Sequence, residues 1–228
     1  MEDADVLISG KDNYQWFGYD ALCTNDGTLV VSSPGKRVNR NASEEAAGAV
    51  YGYRVKDQTL KFSLESSEAQ SKFGLSLAYN SERNLLAVGA PSRDYGLYMY
   101  HAGVVYIYDL SSGNLTFANY KTMLYSSDRA SRFGKHLEWV GAEDLVISAP
   151  SYTTYDSEMV SNEEGMVYFM RGAANLNGDY SSYWASEVFY TTEAGCRHGE
   201  TLHYSAKSSK MIVGSPFCHN YDQEGLNE

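Results

Sequence analysis

Apolar and polar residues alternate with a period of two along most of this chain, and short clusters of Asn, Ser, Asp and Gly interrupt the alternation. This period is typical of β-strands, in which successive side chains point to opposite faces of a sheet. Between residues 73 and 125 the pattern predicts four strands, which read FGLSLAY, LLAVGAP, GVVYIYD and FANYKTMLY. No stretch has a convincing helical period, so the pattern predicts an all-β fold.

The two faces of these predicted strands differ in a regular way. In the first strand, Phe73, Leu75, Leu77 and Tyr79 fall on one side and small residues on the other. The second strand is apolar without interruption in each of its copies, at residues 29–31, 85–88 and 145–147, as expected when both faces of a sheet are covered. Val105 and Tyr106 in the third strand should lie on opposite faces. We therefore expect sheets that are packed between neighbouring sheets.

Three marks recur in a fixed order with a period of roughly 60 residues, which is the signature of a repeat architecture. The first mark is Phe-Gly, the second is a Pro or Gly-Ala-Pro that closes the apolar strand, and the third is a Gly that opens an aromatic strand. Gly allows a close approach of two backbones, and Pro ends pairing because it lacks an N–H donor. We interpret all of these residues as structural: Phe17, Gly18, Pro34, Gly48, Phe73, Gly74, Gly89, Pro91, Gly103, Phe133, Gly134, Pro150, Gly165, Gly199, Gly214 and Pro216.

A run of Phe-Gly, then Val-Gly-Ala-Pro, then Gly-x-Val-Tyr at this period resembles the FG-GAP repeat. That repeat is the blade unit of the integrin α-chain N-terminal β-propeller and of the C-terminal propeller of glycosylphosphatidylinositol (GPI)-specific phospholipase D. The resemblance covers essentially the whole chain and implies four-stranded antiparallel blades in a ring of seven. It divides the chain into an outer strand of a preceding blade (4–16), blades 17–72, 73–131 and 132–195, and a partial blade 196–228.

About three blades and parts of two more make an incomplete propeller. Its two end faces would expose several hundred Å² of apolar surface, which a soluble monomer rarely tolerates. We therefore expect that the chain belongs to a longer one, whose remaining blades cover these faces, or that it dimerises through them.

The charge of the chain narrows the range of partners. The 228 residues carry a net charge of −11, with an isoelectric point near 4.9 and a mean hydropathy of −0.42. No stretch is a Lys/Arg cluster or an apolar run of membrane-spanning length. This composition disfavours nucleic acid and anionic membranes as partners, and it predicts no membrane span.

Cysteines and sequons bear on the compartment. In an oxidising compartment Cys196 and Cys218, which flank two predicted strands, could form a disulfide and leave Cys23 free or paired outside this chain. The alternative is three buried thiols. Asn41 and Asn114 stand in N-glycosylation sequons, which permit a secreted location. The N-terminal residues MEDADVLISG have no signal-peptide pattern. With the resemblance, we expect an extracellular or secretory-pathway protein, and a cytosolic one is the alternative.

Some blades of the family hold calcium in a D-x-[DN]-x-[DN]-G loop between their first two strands. Here the pattern is degraded: Asp26 is misplaced, Leu85 and Val140 occupy ligand positions, and Lys210 stands where the preceding unit has Asp144. We therefore expect no metal and no other cofactor in this chain. If the parent protein is a phospholipase D, zinc would belong to a separate catalytic domain.

Catalytic motifs are missing from the sequence. The histidines, at positions 101, 136, 198, 203 and 219, form no metal-binding pair, and there is no GxSxG, Walker or Rossmann motif. His198 and His203 are expected on one strand, facing opposite ways. We therefore expect no catalytic residue here.

Loops remain the best candidates for function. The resemblance implies a ligand face built by the loops 35–47, 92–102, 151–164 and 217–224, two of which are rich in Tyr and acidic residues. Tyr is an amphipathic contact residue, although a chain with 20 Tyr places several in every loop. The candidate residues are Arg93, Asp94, Tyr95, Tyr98, Tyr100, His101, Tyr152, Tyr155 and Asp156.

With the resemblance, the sequence thus predicts a non-catalytic ligand-binding or scaffold module of an extracellular or secretory-pathway protein, which resembles the integrin propeller and binds a protein or glycan ligand on its loop face. The alternative is a fragment of a GPI-specific phospholipase D, with the catalytic domain outside this chain. A third possibility is an intracellular scaffold, which glycan at either sequon would eliminate.

Overall fold

The structure is a computed structural model, and it describes residues 8–10, 15–37, 46–154 and 163–218. These residues are almost entirely β-strand, turn and loop, with two short 3₁₀ turns at Ala173–Asn175 and Ser182–Trp184. No helix among them is long and apolar enough to cross a membrane. The all-β prediction is confirmed.

The strands form three antiparallel four-stranded sheets and a final hairpin. Each sheet is built from strands that follow one another in the chain, except that one strand of the third repeat pairs with the second sheet. The first sheet contains β1 (Ala21–Cys23), β2 (Thr28–Ser33), β3 (Ala49–Arg54) and β4 (Leu60–Glu65). The second contains β5 (Ser76–Asn80), β6 (Leu85–Ala90), β7 (Val104–Asp109) and β8 (Thr122–Tyr125). The third contains β9 (Leu137–Val140), β10 (Asp144–Ala149), β11 (Met166–Met170) and β13 (Glu187–Tyr190), and the terminal hairpin contains β14 (Thr201–Ser205) and β15 (Lys210–Gly214).

The exchanged strand is β12 (Gly178–Ser181), which we call the crossing strand. It follows β11 in the chain, yet it pairs in parallel with β8 of the second sheet, which thereby gains a fifth strand. The side chain of Lys121 fixes the approach to it by donating hydrogen bonds to the carbonyl oxygens of Ala174 and Leu176. Residues 178–181, which lie within the expected blade 132–195, therefore pair with the neighbouring sheet.

The sheets pack face to face through two apolar interfaces. Between the first and second sheets lie Val30, Val50, Phe62, Leu64, Phe73, Leu86, Val88, Tyr106 and Tyr108. Between the second and third lie Val105, Ile107, Leu124, Phe133, Leu145, Ile147 and Tyr168. Val105 and Tyr106 thus serve opposite interfaces, as their alternation predicts. Each large side chain buried in this way stabilises the fold by about 1.5–3 kcal/mol.

The first strands of successive units lie next to one another. β1 contacts β5, β5 contacts β9, and β9 contacts β14. The first strands therefore form a row that runs from one sheet to the next.

The Gly that opens the third strand of each unit lies against the Phe-Gly position of the next unit. A Cβ atom built on Gly48 would lie 2.1 Å from the carbonyl oxygen of Phe73, and the N–H of Phe73 donates to the carbonyl oxygen of Ala47 at 3.0 Å. Gly103 and Phe133 repeat the first contact at 2.2 Å. Gly165 meets His198, which takes the place of Phe in the last unit. The glycines therefore let neighbouring units approach at backbone distance.

Several strand boundaries differ from the expected ones. The strand expected from residue 73 begins at Ser76, because Lys72 and Gly74 have φ angles of 53° and 89° that a strand does not accommodate. Only Thr122–Tyr125 of FANYKTMLY is a strand. His198 precedes β14, so it does not share a strand with His203. The outer strand expected at 4–16 lies largely outside the described residues.

The cysteines are placed as follows. Cys196 and Cys218 form a disulfide with a Cα–Cα distance of 4.2 Å, and it joins the segment before β14 to the turn after β15. Cys23 is a free, exposed thiol on β1. The alternative of three buried thiols is therefore wrong, because Cys196 and Cys218 are bridged and Cys23 is exposed.

Candidate functional site

The rim loop, residues 92–102, connects β6 to β7 and is tied down at its base. The N–H of Gly103 donates to the carbonyl oxygen of Arg93 at 3.0 Å, which closes the base of the loop. The N–H of Tyr95 donates to the carbonyl oxygen of Met99 at 3.0 Å and closes its tip. Gly96 has a φ of +76°, a conformation that favours Gly at the tight turn. The residues 96–98 are therefore presented on a defined hairpin.

Arg93 anchors this loop to the body of the protein. Its guanidinium lies over the ring of Tyr106 at 5.4 Å and forms an ion pair with Glu68 at 3.4 Å. Its Nη1 lies 3.6 Å from the sulfur of Met123. The side chain is only 19% exposed, so Arg93 positions the loop and offers little surface to a ligand.

Asp94 and His101 also shape the loop. The carboxylate of Asp94 accepts a hydrogen bond from the backbone N–H of His101 at 2.8 Å. The Nδ1 of His101 lies 3.0 Å from the carbonyl oxygen of Ser92. His101 has a φ of 49°, so it marks the turn that returns the chain to β7. Both side chains thus hold the loop closed, although both remain exposed.

Tyr95 forms one wall of an apolar cavity, which we call the rim cavity. Its ring stacks on that of Tyr125 with centroids 3.8 Å apart and planes 15° apart. Burial, above all, raises the pKa of Tyr95, so its hydroxyl stays neutral. The cavity has a volume of about 320 Å³, and its lining residues are Tyr95, Gly96, Leu97, Tyr98, Met99, Tyr125, Ser126 and Ser127.

The tip of the rim loop exposes large apolar side chains. Leu97 is 83% exposed, Tyr98 78% and Tyr100 59%. Exposed large apolar groups around a cavity are typical of a recognition surface. Leu97 and Tyr98 both line the rim cavity and project from it, which makes them the strongest candidates for ligand contact.

The described part of the neighbouring loop 151–164 contributes fewer exposed side chains to the candidate site than the sequence predicts. Tyr152 is half-buried against the second interface, and burial raises the pKa of its phenol. It therefore packs inward and is not a free contact residue. Its neighbour Thr154 donates two hydrogen bonds to the buried carboxylate of Glu164. Tyr155 and Asp156 lie outside the described residues.

The structure adds aromatic residues that sequence reasoning missed. Tyr183 and Trp184 follow the crossing strand and are 78% and 67% exposed, and the ring of Trp184 packs edge-on against Tyr180 at 5.4 Å. The hydroxyl oxygen of Ser182 accepts a hydrogen bond from the N–H of Ser127, which lines the rim cavity. The one available signal was the greater length of the third repeat, which accommodates residues 173–186.

In two acidic loops the carboxylates already accept hydrogen bonds from protein groups. Asp26 Oδ2 accepts a hydrogen bond from Lys61 Nζ at 2.6 Å, and Asp26 Oδ1 accepts bonds from Thr24 and Thr28. The hydrogen bond from Lys61, above all, holds the pKa of Asp26 well below its ordinary value. The ammonium group of Lys61 is thus bound to the carboxylate that a metal ion would need as a ligand. Asp144 accepts a hydrogen bond from the N–H of Gly172 at 2.8 Å.

One cluster in the described residues has the composition of a metal site. Glu193, Cys196 and Cys218 bring their ligand atoms within 4.8 Å of one another. Both sulfurs are joined in the disulfide, so neither is a thiolate that could bind a metal.

No family model matches the chain. It is 26% identical over 245 residues to the phosphatidylinositol-glycan-specific phospholipase D of Rattus norvegicus, 27% identical to that of Mus musculus and 25% identical over 244 residues to that of Homo sapiens. Each match covers 89% of this chain and 29% of the relative. The chain therefore spans less than a third of the length of these proteins.

Solved structures resemble the chain in fold. A chain of the mitotic checkpoint complex superposes with a TM-score of 0.54 at 14% identity, over 90% of this chain and 48% of that one. A chain of Kuenenia stuttgartiensis hydrazine synthase superposes with a TM-score of 0.52 at 9% identity, over 93% of this chain and 44% of that one. At such low identity the likeness concerns the fold alone.

Proposed function

We propose that the chain is part of a β-propeller of the FG-GAP type and serves as a non-catalytic ligand-binding module of an extracellular or secretory-pathway protein. The row of first strands and the face-to-face sheets support a radial arrangement of blades. The repeated contact between Gly and the next Phe-Gly supports the division into repeat units. Similarity to the much longer proteins named phosphatidylinositol-glycan-specific phospholipase D supports an origin in a longer protein.

The observation that carries the binding function is the rim cavity with its exposed tip. Leu97 and Tyr98 remain exposed although the loop that carries them is tied at its base and at its tip. A pre-organised loop loses little conformational entropy when it binds, so its apolar contacts contribute fully to affinity. The ligand is a protein or a glycan, because both use aromatic contact surfaces.

The binding function can be tested with the full-length parent protein as a fluorescent probe of cell surfaces. We expect Leu97→Ala combined with Tyr98→Ala to abolish staining, and Lys56→Ala to leave it unchanged, because Lys56 is exposed in the turn between β3 and β4, away from the rim loop. Loss of staining after glycosidase treatment of the cells would identify a glycan, and loss after protease treatment a protein. Equal staining by both variants and the wild type would overturn the proposal.

A second candidate is that the parent protein hydrolyses GPI anchors. Matches of 24 to 27% identity over 89% of the chain favour it, since all four carry the same enzyme name. In that case the catalytic groups, and any zinc, lie outside these 228 residues. The parent protein should release a GPI-anchored reporter from cells, and this chain alone should release none. Release by the chain alone would contradict a non-catalytic module.

Apolar side chains are exposed on the outer face of the first sheet and on β13 of the third, which supports the proposal that further blades cover these surfaces. The first sheet exposes Leu60 and leaves Phe17, Tyr51 and Tyr53 only partly covered on its outer face. At the other end Val188, Phe189 and Tyr190 of β13 are 43%, 49% and 55% exposed. We propose that remaining blades of the parent chain, or a second copy of this chain, cover these surfaces.

A further inference from the structure

A second cavity lies between the first and second sheets at the end opposite the rim loop. We call it the junction cavity; it has a volume of about 330 Å³, at the lower end of the range for small-molecule sites. The first sheet contributes Asp26, Lys61 and Phe62 to its lining. The β7–β8 loop contributes Leu110, Asn114 and Leu115. The cavity is therefore lined by both sheets, and the asparagine of a sequon lies on its wall.

Asn114 has the accessibility that an acceptor asparagine needs. Both Asn114 and Thr116 are exposed in the β7–β8 loop. The backbone N–H of Asn114 donates to Ser112 Oγ at 3.5 Å, and its carbonyl oxygen accepts a bond from the Asn119 side-chain amide at 3.2 Å. These backbone bonds hold the turn and leave the side-chain amide of Asn114 exposed. The sequon is thus presented on an ordered turn beside the cavity.

The lining suits the chemistry of a pyranose ring. Leu110, Leu115 and Phe62 offer apolar surface to the C–H face of a sugar. Lys61 and Asp26, which line the cavity beside Phe62, form an ion pair at 2.6 Å and can bind hydroxyl groups. Because Asn114 itself lines the cavity, a sugar linked to its amide nitrogen starts at the mouth of the cavity and needs no long linker.

We propose that Asn114 is N-glycosylated and that the first sugar of its glycan rests in the junction cavity. In the transfer, the amide nitrogen of Asn114 bonds to the anomeric carbon of an oligosaccharide carried on a lipid pyrophosphate. The bond between that carbon and the pyrophosphate oxygen breaks, the amide loses one proton, and the lipid pyrophosphate leaves. The inference rests on the secretory-pathway location proposed above, which the experiment supplies through an added signal sequence.

The modification is tested by producing the chain with a cleavable secretion signal in cultured mammalian cells. Occupancy is scored in total cell extract by enzymatic deglycosylation in ¹⁸O water and mass spectrometry, so that the result does not depend on export. We expect a majority of Asn114 to be modified in the wild type and in Thr116→Ser, which keeps the sequon, and none in Thr116→Ala. An unmodified Asn114 in the wild type would overturn the inference without bearing on ligand binding at the rim.

Docking of the sugar is tested by chemical acetylation of lysines. Lys61 lines the cavity, whereas Lys56 is exposed outside its lining and serves as the internal reference. Relative to Lys56, Lys61 should react several-fold more slowly in the glycosylated chain than in Thr116→Ala. The protection should persist after trimming to a single sugar. Equal reactivity of Lys61 in both proteins would show that the glycan projects into solvent and would overturn this part of the inference.

Discussion

The backbone of Gly103 lies against that of Phe133 so closely that a Cβ atom on Gly103 would be 2.2 Å from the Phe133 carbonyl oxygen. Gly103 opens β7 of the second sheet, and Phe133 precedes β9 of the third. The same approach joins Gly48 to Phe73 and Gly165 to His198. Contact between the third mark of one unit and the first mark of the next is therefore a repeated feature of the architecture.

The first prediction concerns Gly103→Ala. Because Gly103 has a φ of +89° and no room for a side chain, we expect a loss of about 2–4 kcal/mol in the free energy of unfolding. The control is Gly113→Ala in the β7–β8 loop, where a Cβ would meet no atom within 4 Å. Urea unfolding followed by circular dichroism measures both. Equal stability of the two variants would contradict the proposed contact.

The second prediction compares two buried tyrosines on neighbouring positions of one face. The hydroxyl of Tyr108 donates to the carbonyl oxygen of Phe117 at 3.1 Å, whereas the buried hydroxyl of Tyr106 has no partner among the described residues. We expect Tyr108→Phe to cost about 1 kcal/mol of unfolding free energy and Tyr106→Phe to change it by less than about 0.5 kcal/mol. Denaturant titration of both variants checks this order, and the reverse order would contradict the hydrogen-bond assignment.

The third prediction concerns the disulfide. It joins cysteines that are 22 residues apart and encloses the terminal hairpin, so its loss should cost about 3 kcal/mol. The effect should be local: in Cys218→Ser, amide hydrogen exchange should accelerate in β14 and β15 and stay unchanged in β6. Cys23→Ser is the matched control, because Cys23 is free and exposed. Unchanged exchange in Cys218→Ser would contradict a stabilising role.

The fourth prediction concerns the pH dependence of the Asp26–Lys61 pair. The hydrogen bond from Lys61 lowers the pKa of Asp26 from its ordinary value of 3.8, so the pair stabilises the fold above the unfolded pKa and loses this contribution as the pH falls towards the folded one. Because the pair is exposed, we expect Lys61→Gln to cost less than about 1 kcal/mol at pH 7, and less again at pH 3.

Unfolding free energies of Lys61→Gln, measured at both pH values beside the control Lys56→Gln, test this sign. A cost that is the same at pH 3 and pH 7 would mean that the stability contributed by Lys61 does not depend on ionised Asp26.

Period-two alternation and the repeated Gly and Pro positions allowed most of the sheet strands to be predicted, because both are consequences of local backbone geometry. The crossing strand could not be predicted in this way. Residues 178–181 are short, and their partner is set by contacts of Lys121 and Thr122 with the carbonyl oxygen of Leu176, which no local pattern encodes.

The candidate site was likewise predictable only in part. The position of the rim loop follows from the repeat, whereas the exposure of each side chain depends on residues from other units. Arg93 is drawn inward by Tyr106 and Glu68, and Tyr152 packs into the second interface. Leu97, which sequence reasoning passed over, became a candidate only when the structure showed its exposure beside the rim cavity.

We propose above that this chain is a set of propeller blades with uncovered end faces. Light scattering of the purified 228-residue chain, with and without the substitutions Leu60→Asp and Phe189→Asp, tests it most directly. We predict that the wild type self-associates and binds a hydrophobic dye, and that the substitutions reduce both. A stable monomer that unfolds cooperatively and binds no dye would contradict the claim.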